Sequence, residues 1–252
     1  MSAVHLLGYG VSSASLESCS HDMLAWILRG SHCKAASFFN PHSYAVAKSD
    51  QRFASALRAS EWLLPDGVGV ALACGAIARR PVARITGSDL FFRLNEDMNH
   101  VGGLRVFFIG STPQVLGTIC DKYSRQYPKI QIVGCHAPPF ESDMSEQAFA
   151  ACLQAISHAA PDVVYVGMTA PKQEVFIARA GLAMPAKVAL GIGAVFDYYA
   201  GRRSRASALT RAFGLEWLVR LAADPLRMWR RTLVSAPLFV RDVLWERHEP
   251  HG

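Results

Sequence analysis

Short apolar runs recur along the first 200 residues, and most of them end at Gly, Pro or Asn. Between several runs the apolar side chains return every three or four positions, which is the spacing of a helix with one buried face. This alternation predicts an α/β fold with a mostly parallel, Rossmann-like sheet and helices on both of its faces. The predicted strands span residues 4–7, 35–39, 61–64, 105–109, 130–133, 162–166 and 187–192. The predicted helices are marked by Leu90, Phe91, Leu94 and Met98, by Val115, Leu116, Ile119 and Tyr123, and by Ala148, Cys152, Leu153 and Ile156.

Polar residues follow most of these runs. In parallel sheets ligands bind beyond the carboxyl ends of the strands, so we expect these residues to gather at one edge. Ser111 or Thr112 is predicted to cap a helix that begins at Pro113, which could also present free amides to a phosphate. Capping alone explains this loop and is the favoured interpretation. The segments concerned are 40–42, 65–69, 110–113, 167–174 and 193–197.

Asp66 is the most informative single residue. It stands between Pro65 and Gly67, directly after a predicted strand. A carboxylate held there can act as a general base on a hydroxyl if burial raises its pKa. Asp-Gly is also a common turn pair, and without further context a turn aspartate is favoured. A second acid, Asp89, is predicted to cap a helix that starts at Leu90.

Charge divides the chain at about residue 200. Of a net charge of +6, residues 201–252 carry most, with 10 Arg, no Lys and 5 acidic residues. Trp217, Trp229 and Trp245 lie in the same stretch. We predict an α/β catalytic domain over 1–200 and a basic helical appendage over 201–252. Arg with Trp suits phosphates or anionic lipid. A solvated helix and a nucleic-acid surface are the alternatives, although no nucleic-acid-binding motif is present.

Composition excludes several classes of protein. With 51% hydrophobic and 18% charged residues, the chain is not expected to be disordered. No apolar stretch approaches the roughly eighteen residues of a membrane span, and the N-terminus lacks the basic start of a signal peptide. The six cysteines form no Cys-x-x-Cys pair, which favours reduced thiols in a cytoplasmic protein over a zinc site. Gly8-Tyr9-Gly10 resembles a dinucleotide loop, but Ser13 replaces its third glycine.

Short motifs in a fixed order identify a family. The chain resembles the WecG/TagA/CpsF family of bacterial glycosyltransferases over roughly residues 35–235. Each motif is short and several are weak alone, whereas the ordered set is specific. The motifs are Asn40-Pro41, Pro65-Asp66-Gly67-Val68-Gly69, Arg84-Ile85-Thr86-Gly87-Ser88-Asp89, Pro171-Lys172-Gln173-Glu174, Gly191-Ile192-Gly193-Ala194-Val195-Phe196-Asp197, Gly214-Leu215-Glu216-Trp217, Arg220-Leu221 and Asp224-Pro225-Leu226-Arg227.

The resemblance implies an inverting hexosyltransferase that needs neither a metal nor another cofactor. It would move a sugar from a UDP-sugar to a polyprenyl-diphosphate-linked saccharide, in the synthesis of a bacterial surface or exported polysaccharide. N-acetylmannosamine, its uronic acid and glucose all remain open as the sugar. The enzyme would be cytoplasmic and peripheral on the inner face of the cell membrane, docked on anionic lipid through its tail. It would not bind nucleic acid, and a homo-oligomer is open.

The resemblance also assigns roles by position. Asp66 is the candidate base, and Asn40 and Arg84 complete the catalytic set. Substrate binding falls to Gln173, Glu174, Gly193, Asp197, Arg220, Arg227 and Arg230. The three tail arginines match residues thought to reach diphosphates. Each of Asn40, Gln173, Glu174 and Asp197 could instead serve only to begin or cap a helix or turn.

One departure from the family pattern bears on function. Family members commonly carry Thr two residues before the matching Asn, and this chain has Phe38. The loss of a polar contact to substrate here would allow a different acceptor or donor. The alternative function is a non-catalytic UDP-binding scaffold of a membrane polysaccharide-assembly complex. A soluble oxidoreductase and a nucleic-acid binder rank below it.

Overall fold

The computed structural model describes residues 2–141, 143–202 and 229–246. Its strands agree with the seven apolar runs to within a few residues at each end. One further strand, β2, is not predicted by the hydrophobic pattern. The strands are β1 (Ala3–Leu6), β2 (Tyr9–Ser12), β3 (Lys34–Phe39), β4 (Trp62–Pro65), β5 (Arg105–Gly110), β6 (Gln131–His136), β7 (Val163–Gly167) and β8 (Val188–Gly191).

Helices separate most of these strands. The three helices predicted from spacing are present as α5, α6 and α7. The helices are α1 (Leu16–Arg29), α2 (Pro41–Ala47), α3 (Gln51–Arg58), α4 (Val68–Ala78), α5 (Gly87–Val101), α6 (Pro113–Gln126), α7 (Glu146–Ala159), α8 (Lys172–Ala180), α9 (Ala194–Tyr199) and α10 (Ala236–Glu246). A 3₁₀ turn, Gly181–Ala183, follows α8, and a π-helical stretch, Arg230–Ser235, leads into α10.

Six strands form one parallel sheet in the order β4-β3-β8-β7-β5-β6. Alternate side chains of a strand pack on opposite faces of such a sheet. On β7, Val163 and Tyr165 join the apolar cluster under α1, α5, α6 and α9. Val164 and Val166 join the cluster under α7 and α8. The predicted parallel α/β sheet with helices on both faces is therefore confirmed.

The first predicted strand lies outside this sheet. β1 pairs antiparallel with β2, and Leu6 lies opposite Tyr9. The two residues between the strands, Leu7 and Gly8, have φ of +53° and +79°, the left-handed values that a tight hairpin turn needs. Gly8 therefore makes a hairpin turn rather than a phosphate-binding loop.

The C-terminal helix α10 packs back onto the domain. The Phe239 ring is 2% exposed and lies in a third apolar cluster with Leu6, Tyr44 and Val70. At the end of the helix, Glu246 accepts hydrogen bonds from the Leu7 amide at 3.0 and 2.9 Å. Helix α10 is thus attached to α2, α4 and the hairpin.

Candidate functional site

The predicted site segments meet at the carboxyl edge of the sheet. β4, β3, β8 and β7 are consecutive neighbours in the sheet and run parallel, so their carboxyl ends lie side by side. Asp66 directly follows β4, and Asn40 directly follows β3. Gly193 lies two residues beyond β8, and Gln173 is the second residue of the helix that follows β7.

Asn40 and Asp66 are in direct contact. Asn40 Nδ2 donates to Asp66 Oδ2 at 3.4 Å. Asn40 is also the N-cap of α2, because its Oδ1 accepts from the amides of His42 and Ser43 at 3.0 and 2.9 Å. Ser43 Oγ in turn accepts from the Asn40 amide at 2.8 Å, which completes a capping box. The cap directs Oδ1 toward the first turn of α2, so the side-chain amide nitrogen of Asn40 faces the Asp66 carboxylate.

Backbone contacts hold Asp66 in place. Its amide donates to the Phe39 carbonyl at 2.8 Å, which extends the β3–β4 pairing past the end of β4. The next residue, Gly67, has φ of +102° and stands at the N-cap of α4. Asp66 is half-buried between a strand and a helix, so it does not belong to a reversing hairpin turn. This position suits the base role that the sequence proposes.

Arg84 lies beside the same strand end. The following amide, that of Ile85, donates to the Pro65 carbonyl at 2.9 Å. Ile85 follows Arg84 and Pro65 precedes Asp66, so this bond brings the two segments together. The Arg84 side chain is half-buried.

The first turn of α5 differs from the prediction. Thr86 is the N-cap, and its Oγ1 accepts from the Asp89 amide at 3.2 Å and donates to Asp89 Oδ2 at 2.6 Å. The expectation that Asp89 caps a helix starting at Leu90 is wrong. Gly87 belongs to the first turn, so the helix begins earlier and Asp89 acts from within it.

Gln173 and Glu174 form a buried unit at the start of α8. Gln173 Oε1 accepts from the Gly193 amide at 2.9 Å, and Gln173 Nε2 donates to Glu174 Oε1 at 2.8 Å. The two residues are 6% and 4% exposed. Burial raises the pKa of Glu174 to about 7, against the lowering effect of its hydrogen bonds from Gln173 and the backbone. Glu174 therefore faces the protein interior, and Gln173 connects it to the Gly193 amide at the edge of the sheet.

Phe38 lies in the same region. Its ring packs with the apolar cluster under α5 and α9. A Cβ placed on Gly87 would lie 3.6 Å from the Phe38 ring and 3.4 Å from Val195. The residue that replaces the usual Thr therefore serves as apolar packing between β3 and the start of α5.

The predicted start of the helix after β5 is confirmed. Thr112 caps α6, its side chain accepting from the Val115 amide at 3.4 Å, and Pro113 is the first helical residue. Asp197 lies within α9 and is half-buried. Its backbone carbonyl accepts from the Arg202 amide at 2.9 Å.

The tail arginines are described only in part. Arg220 and Arg227 lie outside the described residues. Arg230 begins the π-helical stretch, and its side chain lies outside the described atoms. The end of this stretch lies near the site, because Ser235 Oγ is 3.2 Å from His42 Nδ1. His42 is two residues from Asn40, and no local signal predicts this contact across 193 positions.

Two searches of the described residues gave negative results. Within residues 2–141, 143–202 and 229–246, no helix combines the length and apolar content that crossing a bilayer requires. The same part of the chain holds no group of three or more His, Cys, Asp or Glu side chains placed to bind a metal ion.

Comparison with known proteins decides the family. The model of the glycosyl transferase WecG/TagA/CpsF family matches residues 4–251, nearly the whole chain. The chain belongs to this family. Two curated relatives of this WecG/TagA/CpsF member are named N-acetylglucosaminyldiphosphoundecaprenol N-acetyl-beta-D-mannosaminyltransferase. The protein from Bacillus spizizenii strain W23 is 34% identical over 210 residues, 83% of this chain and 77% of the relative. The protein from Bacillus subtilis strain 168 is 33% identical over 210 residues, 83% of this chain and 78% of the relative. The predictions of family and of a hexosyltransferase are confirmed.

The Asn40–Asp66 contact can be tested separately from the helix cap. Ser is also a good N-cap residue but is too short to reach Asp66, so Asn40→Ser keeps the cap and removes the contact. We expect kcat to fall about three- to tenfold, because the one hydrogen bond that is lost is long, at 3.4 Å. The midpoint of urea unfolding should barely move. A variant with unchanged kcat would show that the contact does not contribute to turnover.

Proposed function

We propose that this family member transfers N-acetylmannosamine from a UDP-sugar to a polyprenyl-diphosphate-linked N-acetylglucosamine, with inversion at the anomeric carbon and without a metal. The observation that carries the proposal is the Asn40–Asp66 pair at the carboxyl edge of the sheet, bonded at 3.4 Å. The names of the two relatives support the choice of sugar and acceptor. The product would enter a cell-surface polysaccharide.

The chemistry follows a single displacement. A hydroxyl oxygen of the acceptor attacks the anomeric carbon while Asp66 accepts its proton. The bond between the anomeric carbon and the UDP oxygen breaks, and UDP leaves with the bonding electrons. Attack from the face opposite UDP inverts the configuration. General-base assistance of this kind contributes roughly 10²–10⁴ in rate.

The leaving diphosphate gains negative charge that must be stabilised. Of the four arginines proposed for the site, Arg84 is the one whose side chain the structure describes. It precedes Ile85, whose amide bonds the Pro65 carbonyl at the end of β4. Arg220, Arg227 and Arg230 would add charge from the tail. Asn40 would orient Asp66, while Gln173, Gly193 and Asp197 would bind the nucleotide side of the donor.

The acceptor is a lipid, so we propose that the enzyme works at the inner face of the cell membrane. Its C-terminal segment is rich in Arg by sequence. Its apolar side chains Trp229, Leu233 and Trp245 are 43%, 67% and 63% exposed. Trp and Leu can enter the lipid interface while Arg contacts anionic head groups. This arrangement supports peripheral docking.

A panel of donors tests the function. UDP-N-acetylmannosamine, its uronic acid analogue and UDP-glucose would each be incubated with polyprenyl-diphosphate-linked N-acetylglucosamine in liposomes. We expect UDP release that requires the acceptor, is fastest with UDP-N-acetylmannosamine and is unaffected by EDTA. Measurable UDP binding without release from any donor would contradict the transferase and favour the scaffold.

A further inference from the structure

Gln173 and Glu174 are neighbours in sequence, and both are buried in the first turn of α8. Helix side chains at adjacent positions usually diverge by about 100°, so their mutual hydrogen bond of 2.8 Å requires both to turn inward. Glu174 contacts Gln173, and Gln173 contacts the loop that follows β8.

The hydrogen bonds run in one direction through the pair. The Gly193 amide donates to Gln173 Oε1 at 2.9 Å, and Gln173 Nε2 donates to Glu174 Oε1. If the Gln173 amide were flipped, its NH₂ would face the Gly193 N–H and its oxygen would face a carboxylate oxygen. Both contacts would be repulsive. Glu174 and the Gly193 amide therefore both favour the orientation in which the Gln173 oxygen meets the loop.

The loop is pressed tightly against Gln173. A Cβ on Gly193 would lie 2.9 Å from Gln173 Oε1 and 2.7 Å from the Met168 carbonyl oxygen. A Cβ on Gly191 would lie 3.1 Å from Gln173 Nε2. Such close approach leaves the loop little freedom to move independently of the Gln173 side chain.

Glu174 occupies its position at a cost in stability. Among the described residues, its second oxygen, Oε2, is buried without a hydrogen-bond partner. Burying a carboxylate with one unsatisfied oxygen is unfavourable, and burial raises the pKa of Glu174 to about 7. An uncharged side chain of similar size would be the more stable choice at this position, which points to a role other than stability.

The charged groups around Glu174 are mostly engaged elsewhere. β8 contributes no titratable side chain. Lys34 and Glu61, which line a cavity with Glu174, pair with each other at 3.1 Å. Arg52 and Arg179 pair with Asp143 and Glu146. The remaining titratable groups on the neighbouring segments are His32, Cys33, Arg58 and Lys172.

We propose that Glu174 is a positioning residue: it orients the Gln173 amide and, through it, holds the Gly191–Gly193 loop in the conformation that receives the donor. The role rests on the proposed function, in which this loop binds the nucleotide side of the donor. Glu174 itself does not contact substrate.

Two uncharged variants of similar size separate positioning from packing. Glu174→Gln keeps an oxygen that can accept from Gln173 Nε2, whereas Glu174→Met does not. We expect Glu174→Met to lower kcat about tenfold and Glu174→Gln to retain kcat within about threefold of wild type. Glu174→Leu serves as a second non-accepting variant if Glu174→Met does not fold.

Glu174→Gln should be more stable than wild type at neutral pH, although its turnover is not expected to rise. The pKa of Glu174 rises from an ordinary 4.5 to about 7 on folding, so its stabilising contribution is complete below pH 4.5 and is lost as the pH rises to 7. Glu174→Gln lacks this loss. Between pH 5 and pH 8 its folding equilibrium constant should therefore rise relative to wild type by at least about tenfold.

Hydrogen exchange at the Gly193 amide tests the positioning without any substrate. We expect exchange to be faster in Glu174→Met than in wild type and nearly unchanged in Glu174→Gln. If wild type shows no turnover, the proposed function fails, while the exchange rates still decide the positioning role. A folded Glu174→Met protein with wild-type exchange and wild-type kcat would overturn the proposal.

Discussion

Asp66→Asn is expected to lower kcat at least about a hundredfold and to leave UDP affinity and the unfolding midpoint nearly unchanged. Asn has the size of Asp and can still contact Asn40, whose Nδ2 lies 3.4 Å from Oδ2 in the wild type. The backbone bond from residue 66 to the Phe39 carbonyl is also retained. What is lost is the ability to take a proton from the attacking hydroxyl.

The measurement is acceptor-dependent turnover at saturating donor, with UDP binding determined by calorimetry. Asp89→Asn is the matched control, because it removes a half-buried carboxylate at the start of α5, close to the same edge. The control should stay within about threefold of wild-type kcat, since losing one charge near a helix N-terminus costs a fraction of a kcal/mol. Equal turnover in Asp66→Asn and wild type would remove Asp66 from the base role.

Asp242→Ala is expected to lower the free energy of unfolding by roughly 2–3 kcal/mol. The Asp242 side chain is 9% exposed. It accepts from Tyr44 Oη at 2.7 Å and from Lys48 Nζ at 2.6 Å, both on or next to α2. Removing it leaves the buried Tyr44 hydroxyl without its acceptor, and α10 loses its main polar contact with α2.

Urea unfolding at pH 7 measures this effect, and Arg241→Ala is the control. Arg241 also bonds Asp242, at 2.8 and 2.7 Å, but its side chain is 63% exposed. Its removal should therefore cost less than about 1 kcal/mol. Equal losses in the two variants would mean that Asp242 acts as an ordinary surface charge.

The same contacts predict an acid dependence. Burial alone would raise the pKa of Asp242, but hydrogen bonds from Lys48, Tyr44 and Arg241 lower it from 3.8 to about 2. This carboxylate therefore contributes stability above pH 3.8 that is lost as the pH falls toward 2. The difference between wild type and Asp242→Ala should shrink over that interval.

The parallel sheet and the edge of the site could be predicted from sequence because each depends on local pattern. Strands such as β5 and β7 are apolar runs with clear ends, and Asn40 and Asp66 each stand one residue past a strand. β2 escaped prediction because its four residues include a glycine and carry no apolar run. α4 escaped because it holds no charged residue and has no polar face to set a helical period.

Long-range contacts could not be predicted in the same way. The bonds of Asp242 to Tyr44 and Lys48 cross 198 and 194 positions, and no local spacing brings these residues together. Glu174 shows a different limit. Its motif marked it as a binding residue, but only the packing of α8 against the β8 loop shows that it points inward. The roles of the site residues, including Arg220 and Arg227, stay predictions.

Transfer of labelled sugar to lipid tests the central claim most directly. Wild-type protein would be incubated with UDP-N-acetylmannosamine labelled in the sugar, with and without polyprenyl-diphosphate-linked N-acetylglucosamine, and the lipid phase would then be extracted. The account predicts label in the lipid phase only when acceptor is present, in a linkage inverted relative to the donor. Label that stays on UDP, or that appears as free sugar regardless of acceptor, would contradict it.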